Sequence, residues 1–106
     1  MAEQEETLEG YVVDLACIRH YPQAVLYDRS HVHTRDCALM GHCIESGYGL
    51  VDDQGIVSVL DTTATPLVVG ALRDSKKNKG IYLRARREMQ NEEMRTVSVE
   101  EVEHQA

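Results

Sequence analysis

All three cysteines and four of the five histidines of this 106-residue chain fall between Cys17 and Cys43. Thiolate and imidazole are donors that zinc, copper and iron prefer, so Cys17, His20, His31, His33, Cys37, His42 and Cys43 read as a metal-ligating tract. The same stretch, residues 16–47, has no sustained hydrophobic periodicity, whereas the segments on either side carry the patterns of β-strands. That contrast constrains the fold: a small β-domain has to accommodate a long unpatterned insertion after its first strand. Nineteen and then five residues separate the cysteines, which is neither a Cys-x-x-Cys knuckle nor a zinc-finger ladder. Composition carries the signal, not a motif.

A chain of this length is expected to be a single domain, residues 1–106, with a core unit over 7–102 and a frayed tail at 103–106. It has no Trp and no Phe, so five tyrosines and the aliphatic residues must fill the core. Glu3, Glu5, Glu6 and Glu9 leave no basic or apolar leader at the start, and no apolar run approaches a bilayer span. These features predict a soluble, cytoplasmic protein without a membrane anchor, a mature exported fragment being the alternative. An odd number of cysteines favours reduced thiols or metal ligands over a secreted disulfide framework.

The formal net charge of −7 argues against a phosphate-backbone binder. Eight of the eleven Lys and Arg residues nevertheless lie between Arg73 and Arg95, against four acids there, a local excess of four positive charges. A solvated strand face is the leading reading of that stretch. Tyr82, Arg84 and Arg86, on one face of an alternating segment, form the minimal version of a single-stranded nucleic-acid platform, which the overall charge makes the weaker expectation.

Residues 7–15 read as a strand, with a bulge or bend at Gly10. Tyr21-Pro22 breaks any helix starting near His20, and a helix over Thr34–Glu45 follows, capped by Thr34 and ended by Gly47. Tyr48–Val51 and Ile56–Leu60 flank Asp52-Asp53-Gln54-Gly55, a hairpin turn with Gly55 placed for a left-handed conformation. A short helix begins at Thr65-Pro66 and runs to Leu72. Ile81–Arg86 alternates with Ile81, Leu83 and Ala85 on one face, and Met94–Val102 repeats the pattern after a turn at residues 90–93. Five short strands, with one helix between the third and fourth, predict a mainly β fold: a small five-stranded OB-like barrel whose closure removes the sheet edges. An α+β sandwich is the alternative.

With these elements placed, the chain resembles a group of small, largely uncharacterised bacterial OB-fold-like domains. The resemblance rests on Gly10, Val12 and Asp14 in the first strand, then Cys17, His33-Thr34, Cys37, Met40 and Cys43, then Ser46–Gly49 and the Gly55 turn. It covers roughly residues 7–102. It implies an OB-like fold with a Cys/His insertion and carries no activity.

Cys17, Cys37, Cys43 and His33, with His31 as substitute, supply a closed tetrahedral shell, which is the donor set of structural zinc. Such a site would lend its binding free energy to an insertion that buries little of itself. The surplus donors His20 and His42, with the Met40 thioether, point instead to Cu(I), an iron–sulfur cluster or haem, although the Cys-x-x-Cys-His attachment motif is absent. Asp14, Cys17 and His20, three apart, are the candidates for a thiol enzyme, but the chain offers no Gly-rich oxyanion loop. The bland alternative is a metal-free cluster of buried thiols and solvated imidazoles. The expected function is a non-enzymatic metal-binding module that recognises a protein partner or senses metal.

Overall fold

Every strand of the sheet is placed through β1, which pairs with different neighbours along its two halves. In chain order the elements are β1 (Glu5–Asp14), α1 (Leu15–Ile18), α2 (Arg35–Ala38), α3 (Gly41–Ser46), β2 (Tyr48–Val51), β3 (Val57–Val59), α4 (Ala64–Asp74), β4 (Tyr82–Gln90) and β5 (Glu93–Glu101). The computed structural model describes residues 5–18, 25, 28 and 34–103, with the main chain alone at Cys17, Ile18, His42 and Cys43. Glu5–Tyr11 of β1 pairs antiparallel with β4, and Tyr11–Asp14 with β2. The result is one five-stranded antiparallel sheet in the order β3-β2-β1-β4-β5.

Gly10 sits where β1 changes partners. No register shift occurs there, so the expected bulge is instead a close approach: a Cβ on Gly10 would lie 2.6 Å from the Val51 carbonyl oxygen and 2.9 Å from its nitrogen. Only a residue without a side chain lets the two backbones pass so closely. The bulge is elsewhere, in β5, where Thr96 opposes Arg87 and Ser98 opposes Arg86, which leaves Val97 as the extra residue.

Alternation along the strands puts Val12, Tyr48, Leu50, Leu83 and Ala85 on one face, where they pack on Ala64, Val68 and Leu72 of α4. Those three helical residues are spaced by four, so they form one ridge, and their burial outweighs the low helix propensity of Val68, Val69 and Gly70. The helix starts one residue before Thr65 and continues to Asp74; Pro66 lies within its first turn, where an amide has no helical partner to lose. Val13, Val51 and Val57 make a smaller cluster on the opposite face. The hairpin turn between β2 and β3 forms as expected, with Gly55 at φ 77° and the Asp52 carboxylate accepting from the amides of Gln54 (2.9 Å) and Ile56 (3.0 Å).

The expected barrel does not close: β3 and β5 are the two outer strands and are not paired with each other. β3 has only three residues, and the chain turns directly after it into α4, which lies against β5 and β2. A side chain takes the place of the missing ladder. Asp61, in the turn after β3, accepts from the Thr96 amide through both carboxylate oxygens (3.1 Å each) and from the Thr96 hydroxyl (2.6 Å). The Thr63 hydroxyl donates to the same carboxylate. Among the described residues no helix is long and apolar enough to cross a membrane.

Burial works to raise the Asp61 pKa, but the hydrogen bonds from Thr63 and Thr96 outweigh it and hold the carboxyl below its ordinary 3.8. A carboxylate with a depressed pKa stabilises the fold above the unfolded value and loses that contribution as pH falls through the folded one. Replacing Asp61 by Asn is therefore expected to cost about 1–2 kcal/mol at neutral pH, a partly exposed site tempering the value of its charged hydrogen bonds. In acid the difference from the parent should shrink as the pH drops below about 4; denaturant titrations at pH 7 and in that acid range measure both effects. Gly10→Ala is expected to lower stability by about 1–3 kcal/mol, because the new methyl meets backbone that cannot step aside.

Candidate metal centre

The three short helices that carry the cysteines lie together. α1, with Cys17, continues directly from β1 and packs beside α3, with Cys43; α3 in turn meets α2, with Cys37. Two hydrogen bonds tie α1 to the end of α3: the Leu15 amide to the Gly47 carbonyl (2.9 Å) and the Ala16 amide to the Ser46 hydroxyl (3.0 Å).

α2 is anchored from the other side. Thr34 caps it as expected, its hydroxyl accepting from the Cys37 amide at 3.1 Å. Arg35 then holds the loop after α4 twice, through its amide to the Asn78 carbonyl (2.8 Å) and its guanidinium to the Ser75 carbonyl (2.6 Å). An isolated β-bridge between Thr34 and Lys79 completes the contact. Arg35 was invisible as an anchor in the sequence, because its acceptors are main-chain carbonyls forty and more residues away.

The single helix expected over Thr34–Glu45 is two. α2 ends at Ala38, Met40 is extended, and Gly41 opens α3. At the break, the buried Tyr48 hydroxyl donates to the Ala38 carbonyl at 2.6 Å. A continuous helix would offer that carbonyl to the amide four residues on. The Ala38 carbonyl is thereby tied to β2 where the chain reorients at Leu39–Met40, and the residues carrying Cys37 and Cys43 do not share one helical cylinder.

Cys37 is half-buried and a free thiol, and Met40 is 50 % exposed. His20, His31 and His33 lie outside the described residues, as do the side chains of Cys17, His42 and Cys43. Among the described residues no group of three or more His, Cys, Asp or Glu side chains is placed to hold an ion. Of the Asp14-Cys17-His20 constellation, Asp14 is described and fully buried at the end of β1, directly opposite Tyr48 in the sheet.

The nucleic-acid platform is not assembled as expected. Ile81, Leu83 and Ala85 are buried, as the alternation predicts, and Arg84 and Arg86 are exposed. Tyr82 is not an open stacking surface: it is 7 % exposed, with its ring edge-on to Tyr11 at 5.1 Å between centroids. Burial, followed by the charges of Asp53 and Glu9, raises its phenol pKa above the ordinary value, so the hydroxyl stays protonated in acidic surroundings. Arg84 is paired with Glu9 at 2.6 Å and Arg87 with Glu6 at 2.5 Å, each directly across the β1–β4 ladder. Two of the basic residues of that stretch, Arg84 and Arg87, are thus met by acids of the neighbouring strand.

Tyr48→Phe removes the donor to the Ala38 carbonyl in a dry setting, and is expected to lower stability by about 1–2 kcal/mol. Amide exchange should report faster opening of α2 than of β4 in that variant, because the lost bond is local to the helix. No family model, no curated protein and no solved structure matches the chain.

Proposed function

We propose that the chain is a non-enzymatic metal-binding module, in which Cys17, Cys37, Cys43 and His33, with His31 as substitute, hold zinc and thereby fix the insertion of an OB-like domain used for partner recognition or metal sensing. One observation carries the reading: of three helices that each bear one cysteine, α3 packs beside both α1 and α2. They have four, four and six residues, too few to persist on their own hydrogen bonds. Among their described side chains Ala38 alone is fully buried, while Leu15 and Ile44 are partly buried, Ile44 against the main core. Three thiolates and one imidazole fit the closed shell of a structural zinc, whose binding free energy would serve as folding free energy here. His33 directly precedes the cap residue Thr34 in the sequence, close to the first turn of the Cys37 helix.

The OB-like part of the proposal draws on the strand order. An antiparallel sheet running 3-2-1-4-5 needs only a β3–β5 pairing to become a five-stranded barrel, and α4 occupies the connection between strands 3 and 4.

Protein purified without a histidine tag is expected to contain about one equivalent of metal, released by chelator together with a drop in thermal stability. Cys37→Ser should lose both the metal and that stability. A metal-free protein of equal stability would overturn the proposal. A colourless protein agrees with zinc or Cu(I), which elemental analysis separates; visible absorption would assign the cluster to iron–sulfur or haem chemistry instead.

A further inference from the structure

The two outer edges of the sheet are unequally protected. Along β5 the outward amide of Thr96 is taken by Asp61, Val97 interrupts the ladder as a bulge, and Glu93, Arg95, Glu100 and Glu101 place charge along the strand. Bulges and charges are devices that keep an edge from pairing with other chains. β3, protected by its shortness of three residues, has neither a bulge nor a charge. The Asp52 amide bonds the Ile56 carbonyl (3.1 Å) and the Leu60 amide bonds the Tyr48 carbonyl (3.0 Å), which sets the alternation of the β2–β3 ladder. Val57 and Val59 therefore occupy the non-bonded positions, opposite Val51 and Gly49, and turn their N–H and C=O groups away from β2. No described strand pairs with that side. Val59 is 58 % and Ile56 52 % exposed, and no residue from Ile56 to Leu60 is charged.

We propose that the β3 edge docks an extended segment of a partner protein as an added strand, the segment being β-branched at its centre and flanked by Lys or Arg. Main-chain hydrogen bonds to Val57 and Val59 supply the attachment, and the exposed Val59 side chain supplies an apolar contact. Charge selects the occupant. Asp52 and Asp53 stand at the hairpin before β3, Asp61 follows it, and the whole chain carries −7. A second copy would bring these acids against their own kind, whereas a basic segment meets opposite charge. The inference deepens the partner-recognition half of the proposed function and does not depend on metal, since β3 belongs to the sheet.

The test is fluorescence anisotropy of the full chain with a short labelled peptide of alternating valine and threonine and lysines at both ends. Saturable binding is expected, weakening as salt is raised. Val59→Pro removes one outward amide while sparing the β2 ladder, and should weaken binding about tenfold, as should N-methylation of alternate peptide residues on the unaltered protein. Absence of saturable binding would overturn the proposal, and so would binding indifferent to both changes. Concentration-dependent dimerisation abolished by Val59→Pro would assign the edge to a second copy and overturn it as well. Metal content measured on the same samples separates the two readings: metal-loaded protein that ignores the peptide sinks the docking site and leaves the metal centre standing.

Discussion

The carboxylate of Asp61 bridges the two ends of the sheet that backbone pairing leaves apart. β3 and β5 are four positions removed in the strand order, yet the residue turn after β3 reaches the bulge in the middle of β5. Near the centre of the same sheet, Gly10 lets the Val51 backbone lie against β1. The Asp61–Thr96 bond does two things at once. It satisfies an amide that the Val97 bulge leaves outside the ladder, and it fixes where α4 begins, so that Ala64, Val68 and Leu72 meet the sheet.

From that corner the constraint passes to the candidate metal centre through α4. The helix ends at Asp74, and the loop beyond it presents the Ser75 and Asn78 carbonyls to Arg35 and the Lys79 backbone to Thr34. Arg35 and Thr34 are the first turn and the cap of the Cys37 helix. On its other side that helix is held by the Tyr48 hydroxyl, from the strand next to β1. The position of Cys37 is therefore set by both ends of the fold: by β2 directly, and by the Asp61 seam through α4 and its following loop.

What could be read from the sequence follows from the range of the forces involved. The alternation at Ile81–Ala85 and the Asp52–Gly55 turn were legible because burial by period and Asx-turn chemistry are decided within a few residues. The split of the Thr34–Glu45 helix was not, since the carbonyl at the break is held by a hydroxyl on a strand that follows it. Tyr82 alternates correctly and is still buried, because the ring that covers it belongs to β1. The open sheet has the same origin. Strand count and order along the chain are local properties, whereas closure depends on the length of β3 and on an aspartate whose partner is thirty-five residues away.

β1 and β2 are adjacent and antiparallel, an arrangement that a two-residue turn can connect, yet residues 15–47 lie between them. Ordering so long a connection costs conformational entropy for each residue fixed, while the cost of closing its ends grows only slowly with length. The ordering is what must be offset, and the described part of the insertion offsets little of it by burial. Side-chain and main-chain bonds hold α1, α2 and α3 at their ends, but these short helices share a thin apolar contact. A cross-link among them would act where the deficit lies, and each of the three carries one of the chain's three thiols. The three thiols thus fall on short helices whose described side chains bury little, which is the physical argument for the proposed metal as a structural element.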